Sequence, residues 1–215
     1  MMTLGIELSS RQGSVALLKG DRLLAEKTWI GERVRHNVLF QTLNTLLEEA
    51  GALYSDISLY AVGRGPGSFS GMRMSFAVAQ ALALPNKAEV RAVSSGAALA
   101  LAVSRETKAK HIAVIGDARR DQFWFGQFDV ETISSPHFHL VGDWKLIPHN
   151  ELVLAEDTHL VSPEAERLTS FFPNIGPARF PLASDVAKLV LLQAMTEPLE
   201  PLYLHPPVFI EPKYH

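Results

Sequence analysis

The chain has 215 residues, of which 47% are hydrophobic and 20% charged, a composition that indicates a globular fold and excludes disorder, collagen and coiled coil. Its formal net charge of −3 argues against binding nucleic acid by bulk charge, and the lack of cysteine excludes disulfide scaffolds, cysteine nucleophiles and thiolate metal sites. The first residues carry no basic region, and the longest uncharged runs, 74–86 and 92–104, are shorter than the ~20 residues that span a bilayer. We therefore expect a soluble, cytoplasmic protein without membrane contact.

The N-terminal half alternates short apolar runs with helical patterns. Three apolar runs joined by polar turns predict an antiparallel meander over residues 3–8, 13–19 and 23–29. A leucine-rich pattern predicts a helix over 37–50, with Gly51 as its stop. The elements predicted after it are a strand over 59–63, a glycine-rich loop, a helix over 72–84, a strand over 90–93 and a helix from Ser94 to about Val103.

The C-terminal half begins with the same order of elements. An apolar strand over 112–116, a polar turn and an aromatic strand over 122–128 repeat the opening hairpin, and each hairpin carries one acid, Glu7 or Asp117. This order predicts two similar α/β halves, although any two hairpins look alike at this level. The remaining predicted elements are strands over 138–141 and 151–155, helices over 163–171 and 184–196, and an extended, proline-rich tail over 198–215.

The strongest local motif is a glycine loop over residues 63–73, between a predicted strand and a predicted helix. Backbone N–H groups in such a position attract anions, but the loop has no P-loop lysine, and the third glycine of a dinucleotide fingerprint comes one position late. We favour a tight turn whose glycines set the backbone shape, and leave a secondary anion contact open. The candidate residues of the loop are Gly63, Gly65, Gly67, Ser68, Ser70, Gly71 and Arg73.

Other catalytic patterns are weak. Glu7 and Asp117 could bind a metal–phosphate group or activate water, and could as easily cap turns. His137 and His139 would share a strand face, but the sequence offers them no third ligand. The chain also has no Gly-x-Ser-x-Gly nucleophile elbow. We predict no metal site and no catalytic residue.

The helix predicted over 72–84 is apolar on every face, with only three polar residues. A helix of this kind is covered on both sides, so its outer partner is either the helix over 37–50 or another protein chain. Internal burial and a partner interface both remain open from the pattern. The candidates on this helix for a partner contact are Met74, Ala77, Val78 and Ala81.

Residues 64–73 resemble the Arg-Gly-Pro-Gly-Ser-Phe-Thr-Gly-x-Arg signature of the TsaB (YeaZ) family, the small subunit of the bacterial machinery that makes threonylcarbamoyladenosine in tRNA. His36 matches a family histidine at the start of the first helix. Three further stretches resemble the family in kind and order: 4–9 (Leu-x-Ile-Asp-Thr-Ser), 115–119 with the aromatic strand after it (Ile-Asp-Ala-Arg), and 201–205 (Pro-x-Tyr-Leu-Arg). The resemblance is dense over residues 1–125.

Three positions depart from the family pattern. Glu7 replaces an aspartate, Ser70 a threonine and His205 an arginine. The longer side chain of Glu7 argues against a conventional metal–phosphate site at the first hairpin, which leaves Glu7 and Asp117 as vestigial acids of the two hairpins.

The resemblance implies an α/β protein of the actin-like ATPase fold, with two duplicated lobes of mixed sheets flanked by helices, over residues 1–105 and 106–215. It implies a non-catalytic scaffold whose partners are the catalytic paralogue TsaD, the ATPase subunit TsaE and a second copy of itself, with tRNA contacted only through the complex. Any ATP or ADP would bind weakly at a subunit interface. The alternative is an enzyme of this fold, either a nucleotide-dependent phosphotransferase or a glycoprotease-like peptidase.

In the family, the first two helices form the surface shared by the homodimer and the heterodimer. The resemblance therefore extends the candidate partner interface from the second helix to the first. The residues added on the first helix are His36, Leu39, Leu43, Leu46 and Leu47.

Overall fold

The first of two mixed β-sheets is built from the N-terminal half of the chain. The structure, a computed structural model, describes residues 1–31, 36–130, 138–192 and 197–206, with only the backbone at 36, 37, 138 and 139. The strands of this sheet, in spatial order β3-β2-β1-β4-β5, are β1 (Met2–Glu7), β2 (Gln12–Lys19), β3 (Arg22–Ile30), β4 (Ile57–Gly63) and β5 (Glu89–Val93). The first three strands pair antiparallel, and β4 and β5 continue from β1 in parallel.

The second sheet repeats the first in reduced form. Its strands are β6 (His111–Arg119), β7 (Gln122–Val130), β8 (Phe138–Leu140), β9 (Lys145–Pro148) and β10 (His159–Val161). The order is β10-β6-β7-β8, in which β6, β7 and β8 pair antiparallel, β10 runs parallel to β6, and β9 also pairs with β7. The strands β6, β7, β8 and β10 thus correspond to β1, β2, β3 and β4. The predicted α/β fold with two similar lobes of mixed sheets and helices is confirmed.

Helices cover the first sheet on both faces. Alternate apolar side chains of its strands point to opposite faces and are buried under these helices. The helices are α1 (His36–Ala50), α2 (Phe69–Ala83), α3 (Ser95–Thr107), α4 (Ala165–Leu168) and α5 (Ala183–Leu192), with a 3-10 turn at Tyr54–Asp56. Leu4 and Ile6 of β1 join a core cluster with α1 and α2. Ala16 and Leu18 of β2 face the opposite side, in the cluster that contains α3 and α5.

The helix α5 packs against the first sheet although it comes late in the chain. The hydroxyl of Ser14 accepts the Ala183 N–H at 3.0 Å, and the Glu26 carboxylate accepts the Ser184 N–H at 2.9 Å, so two strands of the first sheet cap this helix. In return α3 packs against β6 and β7 of the second sheet. The two halves therefore exchange helices, while the predicted division at residues 1–105 and 106–215 stays a prediction.

Several predicted elements of the second half are wrong or shorter. Residues 151–155 form no strand, and the strands β9 and β10 lie on either side of them. The predicted helix over 163–171 is reduced to the four residues of α4. The end of the last predicted helix, 193–196, and the tail beyond residue 206 lie outside the described residues. In the part of the chain that is described, no helix has the length and apolar character needed to cross a bilayer.

Candidate functional site: the cleft between the two sheets

The glycine loop packs directly onto the turn that follows β1. The Ser68 N–H donates to the Ser9 carbonyl at 2.6 Å. At Gly67, where φ is +152°, a Cβ atom would lie 2.1 Å from that carbonyl oxygen. At Gly71 a Cβ atom would lie 1.9 Å from the Leu8 carbonyl oxygen. These two backbone contacts leave no room for a side chain, so the glycines allow the loop to touch the first hairpin.

Five backbone N–H groups of the loop bind acceptors of the protein itself. Two carbonyls and the Ser95 hydroxyl of neighbouring elements accept three of them, and the loop's own Ser68 hydroxyl and carbonyl accept the other two. The donors and their acceptors are Arg64 to Val93 O, Gly65 to Ser95 Oγ, Ser68 to Ser9 O, Gly71 to Ser68 Oγ, and Met72 to Ser68 O. An anion cradle needs free N–H groups, so this arrangement favours the structural interpretation of the loop. The anion contact stays a prediction.

Glu7 is buried beneath the loop. Its side chain is fully inaccessible, its Oε1 accepts the Ser9 N–H at 2.5 Å, and no donor in the described residues has hydrogen-bond geometry to its Oε2. Desolvation raises the pKa of Glu7, and nearby Ser9 and Ser95 offset this only in part. A carboxyl group buried in this way is not exposed to the cleft, which argues against a ligand or base role for Glu7, and its assignment as a vestigial acid stays a prediction.

Asp117 has a different environment and lies at the wall of the cleft. It accepts the Arg119 N–H at 2.8 Å, and its Oδ2 lies 3.0 Å from Nη1 of the same arginine. Its own N–H donates to Glu164 at 3.1 Å, and burial raises the pKa of the Glu164 carboxyl. The two hairpin acids are therefore not equivalent, and Asp117 caps the tip of its own hairpin. Among the described residues, no group of three or more acidic or histidine side chains is arranged to hold a metal.

A cavity of about 1060 Å³ lies between the two sheets. Its lining is mostly apolar, and an ion pair between Arg11 and Glu166, at 2.5 Å, connects the two sides. The lining comes from the first hairpin (9–11), the glycine loop and first turn of α2 (66–69 and 72), the second hairpin (117–119), the segment 163–167 and the C-terminal segment 202–206, with Trp124 and Leu146.

Arg64 anchors the C-terminal segment to the glycine loop. Its guanidinium is buried, lies 3.1 Å from Glu197 Oε2 and donates to the Glu200 carbonyl at 2.8 Å. The other carboxylate oxygen of Glu197 accepts the Ser94 N–H at 2.8 Å, and the Leu202 N–H donates to the Arg64 carbonyl at 2.8 Å. No local sequence pattern indicates this role of Arg64, because its partner Glu197 lies more than a hundred residues away.

The candidate partner interface is only partly exposed. The leucines of α1 at 39, 43, 46 and 47 are 0–4% exposed and pack against the first sheet, and Val78 is also buried. They are core residues, which corrects the prediction that they face a partner: the side of α1 with the strongest apolar pattern is the side its own sheet covers. Met74 is half-buried, Ala77 and Ala81 are exposed, and the side chain of His36 lies outside the described residues.

Exposed apolar side chains extend this surface along α2. Phe69 and Leu84, at its two ends, are 58% and 76% exposed, and Phe40 on α1 is 47% exposed. Ser70 and Arg73 lie exposed at the first turn, where the Arg73 guanidinium lies 5.2 Å from the centre of the Phe69 ring. The outer side of α2 thus presents Ala77, Ala81 and large apolar ends to solvent. The binding of a partner there stays a prediction.

Comparison with known proteins decides the family. Residues 33–148, more than half of the chain, match the family model of TsaD, tRNA N6-adenosine threonylcarbamoyltransferase. The chain belongs to this family. Within it the chain is of the TsaB type, since its curated relatives from Haemophilus influenzae, Bacillus subtilis and Escherichia coli are all named tRNA threonylcarbamoyladenosine biosynthesis protein TsaB.

The similarity to these TsaB proteins is moderate in sequence. The Haemophilus protein is 31% identical over 135 residues, which cover 61% of this chain and 56% of the relative. The Bacillus protein is 29% identical over 175 residues, covering 74% of this chain and 73% of the relative. The chain thus matches little more than half of the length of the Haemophilus relative.

Solved structures match over nearly the whole length. A Pseudomonas aeruginosa protein described as similar to peptidase YeaZ superposes with a TM-score of 0.79 at 27% identity, covering 95% of this chain and 99% of that one. YeaZ from the same organism gives a TM-score of 0.76 at 25% identity, covering 92% and 100%. The resemblance to the TsaB (YeaZ) family seen in the sequence is confirmed.

Proposed function

We propose that this TsaB-type chain is a non-catalytic scaffold subunit required for threonylcarbamoyl transfer to adenosine of tRNA. The names of its relatives support the pathway. The observation that carries the scaffold role is the glycine loop, which binds the protein itself through five of its backbone N–H groups and covers the acid of the first hairpin. A fold that uses these groups for its own packing leaves few of them for phosphate, and the buried acid does not face water.

The proposed partners are the catalytic paralogue TsaD, the ATPase subunit TsaE and a second copy of this chain. The exposed side of α2 around Ala77 and Ala81 supports this, because small side chains allow two helices to approach closely. We propose that the homodimer and the heterodimer share this surface and compete for it. Contact with tRNA is made through the complex, and the proposed location is the cytoplasm.

We propose that the chain binds nucleotide only weakly and that a partner subunit contributes to the binding site. The cleft fits the phosphates of a magnesium nucleotide poorly here, because Glu7 is inaccessible and five of the loop's backbone N–H groups are already bound. We propose that ATP or ADP binds weakly and only where a partner subunit completes the site. No chemical step of the transfer is assigned to this chain.

The test is reconstitution of tRNA modification from purified components, with and without this chain. We expect threonylcarbamoyladenosine to form only when the chain is present, and Asp117→Asn to support full activity because that side chain caps a hairpin. The isolated chain should hydrolyse neither ATP nor peptides. An ATPase or peptidase activity of the isolated chain that Asp117→Ala abolishes would refute the scaffold role and favour the enzyme of the same fold.

A further inference from the structure

The C-terminal segment 197–206 crosses the cleft from one lobe to the other. At its start Glu197 pairs with Arg64, and their side chains are 13% and 8% exposed. In its middle the Tyr203 ring lies 4.9 Å from the Phe69 ring, centre to centre, in the first turn of α2. At its far end His205 Nε2 lies 2.7 Å from the Ala118 carbonyl oxygen, at the turn of the second hairpin. One short segment therefore contacts the glycine loop and α2 of the first lobe and the second hairpin of the other lobe.

These contacts differ in strength along the segment. The Arg64–Glu197 pair is buried and hydrogen-bonded to backbone groups at Ser94 and Glu200, so loss of either partner would leave an uncompensated buried charge. Beyond residue 201 the segment is held by one backbone hydrogen bond, one ring contact, one side-chain contact and the packing of the half-buried Leu204 against the core, and Tyr203 is 47% exposed. Parts of a protein with few buried contacts open at low free-energy cost.

The weakly held part of the segment forms one wall of the cavity. Residues 202–206 line it, opposite the first turn of α2 and the second hairpin. The cavity is partly open to solvent, and if this wall moves away, more of its mostly apolar interior becomes accessible between the two lobes. The buried pair would stay in place during such an opening and define its fixed end.

We propose that residues 197–206 form a strap that covers one side of the cavity between the lobes, with the Arg64–Glu197 pair as its fixed end and the His205–Ala118 contact as its releasable end. Release at His205 widens the opening of the cavity without unfolding the protein. Because Tyr203 packs on Phe69, the same motion uncovers the first turn of α2. The strap is thus a conformational device that controls access to the cleft, and it is independent of whether the chain acts as a scaffold.

The experiment uses the full-length chain and the variants His205→Ala and Glu197→Gln. Hydrogen exchange of the Leu202 amide reports the strap, and fluorescence of 8-anilinonaphthalene-1-sulfonate reports access to the apolar cavity. We expect His205→Ala to speed exchange of the Leu202 amide and raise dye binding severalfold with an unchanged melting temperature. In Glu197→Gln the amides of Ser94 and Leu202 should exchange at least about tenfold faster, because a charge-assisted contact is lost.

The matched control is Glu106→Gln, which removes an exposed ion pair with Arg179 away from the strap. It should change neither dye binding nor exchange over 197–206. Wild-type exchange and dye binding in His205→Ala would overturn the proposal even if Glu197→Gln failed to fold. Dye binding by Glu106→Gln as strong as that by His205→Ala would also overturn the proposal, because the cavity would then open through destabilisation of the whole protein.

Discussion

Glu7 shows how a residue type associated with catalysis can serve packing alone. Its carboxyl group connects the end of β1 to the turn at Ser9, and Gly63 lies so close that a Cβ there would be 1.7 Å from Oε2. Burial disfavours the charged form of the group. The contribution of Glu7 to the free energy of unfolding therefore depends on pH. Unfolding experiments can measure this contribution without an activity assay.

We expect Glu7→Gln to reduce the pH dependence of stability. The pKa of Glu7 in the folded protein is raised above its ordinary value of 4.5, so the folded state binds more protons than the unfolded chain in that range. The stabilisation that Glu7 contributes is fully present below pH 4.5, and it is lost as the pH rises through the pKa of Glu7 in the folded state. Glutamine is neutral throughout, so the variant should gain stability relative to the wild type as the pH rises above 4.5 toward the raised pKa of the folded state.

Urea unfolding across that pH range measures the difference. The exposed Glu49→Gln, which only breaks a surface pair with Lys27, is the control and should run parallel to the wild type. If the difference between Glu7→Gln and the wild type were constant with pH, ionisation of Glu7 would not be linked to folding.

Gly71→Ala should destabilise the protein by about 1 to 3 kcal/mol, because its Cβ would meet a backbone oxygen that cannot move aside. The control is Gly176→Ala, where a Cβ meets nothing within 4 Å and φ is not in the left-handed region. That variant should stay within about 0.5 kcal/mol of the wild type. Thermal and urea unfolding compare the two. A Gly71→Ala protein of wild-type stability would contradict the close contact between the loop and the first hairpin.

Among the elements, α2 carries the clearest consequence for assembly. Ala77→Arg or Ala81→Arg places a charge on its exposed side, where it would have to be buried in a dimer. We expect at least one of them to weaken self-association and binding to the TsaD paralogue by about 2 kcal/mol or more, roughly thirtyfold, with the circular dichroism spectrum unchanged.

Light scattering and pull-down provide the measurement for these α2 variants. The matched control is Ala155→Arg, an exposed alanine of the second half. If both α2 variants bound as tightly as the wild type, this helix would not form the interface. The substitution Leu43→Arg, by contrast, should unfold the protein, because the Leu43 side chain is fully buried.

The sequence predicted the elements of the first half well and those of the second half poorly, for a physical reason. A strand forms where an edge is free to pair with it. Residues 151–155 have an apolar pattern, but β9 and β8 pair along one edge of β7 while β10 pairs with β6. Val153 is accordingly 89% exposed. Strand patterns alone do not show which edges are already occupied.

The same limit applies to the site. The glycine loop and its turn could be predicted, because a tight turn that requires glycine is visible in a short stretch of sequence. The partner of Arg64 could not, because Glu197 reaches it only after the second half has folded back across the cleft. Likewise, periodicity identified the apolar side of α1 without showing that its own sheet covers it.

At the level of the whole molecule, the exchange of helices between the two halves predicts a single cooperative unfolding transition. The helix α5 covers β1, β2 and β4 of the first sheet, and a Cβ at Gly5 would lie 2.3 Å from the Ala183 carbonyl oxygen. Arg105 at the end of α3 also pairs with Asp185 at 3.3 Å. Neither half can therefore keep its core without a helix from the other.

Calorimetry on the full chain should give one transition with equal calorimetric and van't Hoff enthalpies. A fragment of residues 1–105 should lack a cooperative transition, because the face of its sheet that holds Ala16 and Leu18 would be open to water. Adding the fragment 106–215 should restore the transition by supplying α5. Two separate transitions in the full chain, or a cooperatively folded 1–105 fragment, would show that the lobes are independent and that the exchanged helices add little to stability.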